Sequence, residues 1–438
     1  MAEPTERDLV QLGPFTRGMN NIAREDSIPR DQLRVAQNVD FYPTGKLRTR
    51  EGREKKVSLP GANNFWSDGI FSLVQGDATL YRYIPDTTLI NLFDGFAVDT
   101  YNAYCSVNKY VYASDGHQAL RVDTYDSSVR PWGIRAPGSP TLSATANGGF
   151  DAGTYQVTLT YTTADGEESG APIASVVDVV EGGGIMATLP PTSEAHVTSI
   201  SIYLARGAGA EIMNYYGAVP VGTTQVQLYK QNLGKPLDTF GLVQFPACDF
   251  VGLSMGRLFG VPSANPNIVI WSEPGYFGQY NPAKNYVATN YNVDLMAPTA
   301  LGAKAEGVFV SSGQRTYFQG GNQPGDFTNN EVYMAGAVRG SLVYVPGSYI
   351  QLQGMPQAPV PIWVASNGTI CLGMPTGTVL PLTEGRFAAA VGVRASSVFR
   401  ELNGVRHVLT TMEPPASEAL VTATDSLTVT VVRNGIEI

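Results

Sequence analysis

Short apolar runs, each closed by a tight turn, recur along most of this chain and predict strands rather than helices. Phe71-Ser72-Leu73-Val74, a turn at Gly76-Asp77 and then Thr79–Tyr83 predict a hairpin. A second follows in Lys109–Tyr112, a turn at Asp115-Gly116, and Ala119–Val122, with the two turns about 39 residues apart. Related units lie at Gly307–Val310 with Thr316–Phe318 around Gly313, at Ile362–Val364 with Ile370–Leu372 around Asn367-Gly368, and at Asn403-Gly404 before Val405–Leu409. Asn-Gly and Asp-Gly supply the positive φ that tight hairpin loops require. A repeat of about 35 to 55 residues built from such hairpins suits the four-stranded blade of a β-propeller. A pair of β-sandwiches is the competing arrangement.

Between residues 138 and 235 the pattern shortens and sharpens. Gly153–Thr162 alternates strictly, Ala164–Glu167 forms a turn, and Ile173–Val180, Gly184–Leu189, Val197–Leu204, Tyr215–Val219 and Val226–Leu228 follow. Six or seven alternating strands in about 100 residues predict a small β-sandwich. Pro137 and Pro140 mark its entry and Lys235-Pro236 its exit. The expected organisation is therefore all-β: an extended arm at 1–57, the first part of a propeller-like body at 58–137, an inserted sandwich at 138–235, and the rest of the body at 236–438. The arm is polar and turn-prone, with one short helix predicted around Arg30–Asn38, and must lie along its own body or a neighbouring subunit. Leu427–Val432 predicts a final strand that would close the ring, because an open ring leaves unpaired edges.

Composition narrows the function more than the fold. Charged residues make up only 15% of the 438, so Ser, Thr, Asn, Gln, Gly and Tyr must build much of the surface. Gly 47 and Pro 29 suit many turns and disfavour long helices. The net charge of -9 opposes generic nucleic-acid binding, although residues 1–57 hold eleven Lys/Arg against nine Asp/Glu. That small basic excess suits a solvated arm or interface strip and leaves a local DNA-facing role open. Cys105, Cys248 and Cys371 are isolated and odd in number, which predicts buried thiols rather than disulfides or zinc. The N-terminal residues lack an apolar signal segment and no 18-residue apolar run occurs, so no secretory leader and no membrane span are expected.

Catalytic patterns are scarce. His117, His196 and His407 fall in three different segments, which argues against a histidine-based site. The G-x-G of Gly207–Gly209 follows a strand in an all-β setting and reads as a hairpin loop. Asp115, Asp123, Asp126, Glu167, Glu168 and Glu273 offer the acids that a glycosidase pairs, yet spacing alone brings no two of them together. Asp165-Gly166-Glu167-Glu168 lacks calcium-loop spacing and suffices as a turn. Trp271, Tyr276, Phe277 and Tyr280 form an aromatic cluster suited to core and rim packing, with sugar or protein binding as the alternative. No catalytic, cofactor-binding or metal-ligating residue is assigned, and a non-enzymatic role is expected.

Three phrases add a resemblance. Gly18–Asn21, Ala36–Asp40 and Arg48–Gly52 resemble the opening of a group of phage virion proteins, and Gly256–Phe259 with Trp271–Pro274 resembles a later part of the same group. Val157–Glu168 and Ser199–Arg206 resemble a fibronectin type III module. The nearest such family is the β-propeller tail hub, or nozzle, proteins of short-tailed phages. The resemblance implies a virion protein made in the bacterial cytoplasm, acting as a homohexamer below a head-to-tail adaptor ring. It also implies fibres or spikes docked outside and double-stranded DNA passing through the lumen without sequence-specific binding. A neck or baseplate protein of a long-tailed phage and a host-glycan receptor protein remain as alternatives.

Overall fold

The structure is a computed structural model. From Pro14 to Glu413 it describes the chain apart from residues 38, 42–43, 45, 50–56, 86–88, 99, 193, 210–211, 300–302, 304, 351, 353–354 and 403–404; beyond Glu413 it describes only 432–433 and 436–437. Most of the predicted closing strand Leu427–Val432 thus lies outside the described residues. The fold is all-β, a propeller-like body of small antiparallel sheets together with a β-sandwich, and the only helical turns among the described residues are three-residue 3-10 segments. No described helix is long and apolar enough to cross a membrane. The chain divides into two compact units, residues 1–101, 252–255 and 289–438, and residues 102–251 and 256–288.

The first unit contains three four-stranded sheets, each laid down in sequence order as a propeller blade is. They run Ala62–Ser67 to Leu89–Asp94, Leu295–Pro298 to Thr328–Tyr333, and Val343–Pro346 to Val379–Pro381. The strand Gly307–Ser311 shows why such sheets stack: Val308, Phe309 and Val310 point alternately to opposite faces, yet all three are buried. A sheet apolar on both faces must be covered on both, and Phe309 meets Trp363 of the following sheet at 5.6 Å between ring centroids. The long hairpin Arg394–Leu402 with Val405–Glu413 contributes Ala395 and Val408 to the last of these cores.

Of the predicted helix Arg30–Asn38, the described residues 30–37 form no helix. The 3-10 turn lies earlier, at Glu25–Ser27, and the segment after it is tied across to Gly18–Asn20. The Leu33 N–H donates to the Gly18 carbonyl at 2.9 Å and the Asn20 N–H donates to the Leu33 carbonyl at 2.7 Å. Backbone groups spent on that cross-link are unavailable for i to i−4 bonding. The same segment lies on its own unit: Met19 packs on the core around Ile362, and Asn21 reads the backbone of Ala388 in both directions. Its Nδ2 donates to the Ala388 carbonyl at 2.9 Å, and its Oδ1 accepts the Ala388 N–H at 3.0 Å. Asn21→Ala strips both bonds and is expected to cost about 1–2 kcal/mol. A lower denaturant midpoint with an unchanged slope would register it.

Two more blade-like sheets fall in the second unit, residues 252–254 apart: Ala103–Val107 to Val129–Pro131, and Cys248–Ser254 with Arg257–Pro262, Ile268–Trp271 and Tyr286–Ala288. Between them in sequence comes the sandwich. Gly153–Thr163 is central in a four-stranded sheet with Ser175–Val179, Val197–Arg206 and Asn214–Pro220. Thr141–Phe150, Gly183–Thr188 and Gln225–Leu228 form the opposing sheet. Tyr155, Val157, Leu159 and Tyr161 alternate into the core between them. The polar alternates do not face solvent as a half-buried strand predicts. Gln156, Thr158 and Thr160 are buried too, Gln156 donating to the Gly207 and Gly209 carbonyls and Thr158 to the Pro172 carbonyl.

Sandwich and blades within this unit are joined by polar links, Arg121 to Glu167 at 2.8 Å and Gln279 Nε2 to the Glu168 carbonyl. Trp132 belongs to the blade core and Ile134, two residues on, to the sandwich core. Gly133 lies so close to Gly278 that a β-carbon on it would sit 2.0 Å from the Gly278 carbonyl oxygen.

Candidate functional site

Three turns of the second unit converge on one polar cleft of about 280 Å³. The first turn, Asn108-Lys109, joins Ala103–Val107 to Tyr110–Ser114, with Asn108 at φ 55°. Lys109 therefore sits at a hairpin tip rather than inside the strand that its apolar neighbours predict. The second turn follows Ala119–Asp123: Asp123 Oδ1 accepts the Tyr125 N–H at 2.9 Å and Asp126 Oδ1 accepts the Ser128 N–H at 2.8 Å. Asx turns of this kind fix both carboxylates on the backbone. The third is the sandwich turn at Ala164–Gly166, where Thr163 Oγ1 donates to Asp165 Oδ1 at 2.7 Å.

Charges alternate around the cleft. Lys109 Nζ lies 2.8 Å from Asp123 Oδ2, Arg130 Nη1 3.4 Å from Asp165 Oδ1, and Arg121 Nη2 3.8 Å from Asp165 Oδ2. Arg121, with only 8% of its side chain exposed, also lies 2.8 Å from Glu167 and places its guanidinium 4.4 Å over the Tyr110 ring. Hydrogen bonding to Asp123 pushes the Lys109 ammonium up to about 12. Burial alone would raise Asp123, but the Lys109 and Tyr125 donors outweigh it and hold the carboxyl below its ordinary value. Asp126 is lowered by the Ser128 N–H, and Asp165 by the Thr163 hydroxyl against its partial burial. All of these groups stay charged through the neutral range.

The sequence candidates are dispersed or committed. His117 is exposed in the Asp115–Gln118 loop, His196 lies 4.0 Å from Glu194 in the sandwich, and His407 is buried in the first unit 3.9 Å from Asp40. Asp115 is buried and accepts the His117 and Gln118 N–H groups, as a turn cap does. Glu168 accepts the Thr160 and Tyr203 hydroxyls. Glu273 faces Arg257 at 3.0 Å and Asn285 at 2.9 Å. Of the acids considered for a glycosidase, the structure brings Asp123 and Asp126 to one cleft, each already bonded to the protein.

The aromatic cluster divides between core and rim, with Trp271 buried and Tyr276, Phe277 and Tyr280 half-buried. Trp271 is buried against Phe259, Phe277 packs on Tyr112, and Tyr280 on Phe245. Cys248 and Cys371 are buried thiols whose desolvation raises them, Cys371 to about 12, and Cys105 is half-buried. Among the described residues, no group of three or more His, Cys, Asp or Glu side chains is placed to hold a metal ion. Sequence reasoning missed Lys109, Arg121 and Arg130. They come from separate strands and turns and share no spacing, so no pattern signals them.

No family model and no curated protein matches this chain. Among solved structures, Kluyveromyces lactis Hsv2 aligns at 9% identity and a TM-score of 0.31, covering 81% of this chain and 90% of that one. The N-terminal domain of Nup159 aligns at 10% identity and a TM-score of 0.24, covering 80% and 72%. Likenesses at these scores add nothing to what the sheets' own topology shows, an all-β chain of blade-like sheets and a sandwich.

Proposed function

We propose that the chain is a non-enzymatic structural component of a bacteriophage tail, a hub or nozzle subunit that assembles as a hexameric ring around the DNA path. The observation that carries this reading is the work done by the residues of the resemblance. Asn21, in the Gly18–Asn21 phrase, clasps the backbone of Ala388. Arg257 and Glu273, from the two halves of the later phrase, meet as an ion pair after a Met255-Gly256 turn with φ of 51° and 65°. Both phrases thus fasten this chain's own fold, and the assembly reading is supported by the resemblance they carry.

In this reading the blade-like sheets provide side surfaces for identical neighbours, and cyclic packing closes them into a tube. An adaptor ring lies above, fibres or spikes dock outside, and the low charge of the chain lets DNA pass without being held. The purified full-length chain is expected to give six-fold rings with a lumen in negative-stain averages. Antibody to the sandwich should label the tail tip of the virion. A chain that stays monomeric at assembly concentrations, with label on the head or along a long tail, would overturn the hub assignment.

A further inference from the structure

We propose that the cleft formed by the Asn108-Lys109, Asp123–Ser128 and Ala164–Gly166 turns is a binding site for an uncharged, hydroxyl-rich sugar. The proposal rests on the cleft alone and stands whether or not the chain forms a ring. Its volume of about 280 Å³ lies just below the range for drug-sized ligands and suits one sugar ring. Three cations and three carboxylates line it, Lys109, Arg121 and Arg130 with Asp123, Asp126 and Asp165, so neither an anion nor a cation is drawn in by net charge.

What the lining offers instead is donors and acceptors side by side. Lys109 bonds Asp123 and Tyr110 and keeps one of its three donors, Arg130 makes a single long contact with Asp165, and Asp126, bonded to the Ser128 N–H and hydroxyl, keeps acceptor lone pairs to spare. Sugar hydroxyls donate and accept at once, which matches alternating carboxylates and cations better than a phosphate or an apolar group does. The site is preorganised, because backbone and hydroxyl donors already fix Asp123, Asp126 and Asp165. Little side-chain freedom is left to lose on binding. Since Lys109 is held high and the three aspartates low, binding should be flat across the neutral pH range.

The test is saturation-transfer NMR and calorimetry on the full chain with glucose, galactose, N-acetylglucosamine and their β-1,4-linked disaccharides. At least one is expected to bind in the millimolar range. The double variant Asp126→Ala/Arg130→Ala, both side chains being on the exposed rim, should weaken it about tenfold, the loss of one or two hydrogen bonds. Lys109→Met serves as a second variant should the first lower the thermal midpoint. Absence of binding by every sugar at about 50 mM, or equal binding by the folded variants, overturns the proposal. So does binding of inorganic phosphate, abolished by added salt, in place of the sugars.

Discussion

Trp132→Ala is expected to destabilise the second unit by about 3–5 kcal/mol, the range for emptying a fully buried aromatic site. Trp132 is wholly buried, stacked on Phe245 at 5.1 Å and tilted against Tyr112 at 5.2 Å. Its indole N–H donates to the Phe277 carbonyl at 3.0 Å. Truncation opens a cavity at the centre of the blade core, two residues before the chain enters the sandwich core at Ile134. Trp132→Phe should keep much of the stacking and recover part of the loss. Denaturant unfolding of the purified variants checks both, and a cost below about 1 kcal/mol for Trp132→Ala would show that the joint does not depend on this ring.

The second large effect belongs to Arg121. Removing one partner of a buried ion pair costs about 3–5 kcal/mol. Glu167 is 21% exposed, so water can compensate it in part, and Arg121→Met is expected near the lower end, about 3 kcal/mol. Arg121→Met with Glu167→Met should regain most of that, because no buried charge is then left without its partner; a double variant no better than the single would rule out the ion pair as the cause. The same network predicts acid sensitivity. Asp123 and Asp165 are held below the ordinary aspartate value of about 4. Their contribution is present above that value and is lost as pH falls through the lowered folded values, because the unfolded chain binds more protons there. Asp165→Asn should reduce the acid slope of unfolding by its share.

These contacts also revise what the sandwich is to its neighbours. If the sandwich were an outward docking module of a tail protein, deleting residues 138–235 would leave a folded body. Within the second unit, that deletion removes Glu167 from Arg121 and the Glu168 carbonyl from Gln279 Nε2, and it uncovers Gly278. The sandwich is built into the blades that flank it rather than tethered to them.

Most hairpins were legible because a two-residue period and a positive-φ turn are local properties. Asp115-Gly116, Gly313 and Asn367-Gly368 all fall between paired strands where the pattern puts them. Gly76-Asp77 is one residue out: Gly76 pairs with Thr79, and the turn is Asp77-Ala78 with Asp77 at φ 47°. Thr141–Phe150 escaped notice because its residues are small and polar and its burial follows no two-residue period. The false helix at Arg30–Asn38 has the opposite cause, since its local propensity yields to bonds made with Gly18–Asn20.

By itself the sequence determined the all-β class, the blade-like hairpins, the sandwich strands and the scattering of the histidines. All but the last depend on residues close in sequence, where side-chain alternation and turn geometry act directly. Only the tertiary structure decided that Asn21 clasps Ala388, that Trp271 is buried while Phe277 and Tyr280 pack at the edge of the core, and that Lys109, Asp126, Arg130 and Asp165 share a cleft. Those outcomes turn on which distant turns meet when apolar faces are buried, and hydrophobic burial is non-directional, so no local pattern encodes the meeting.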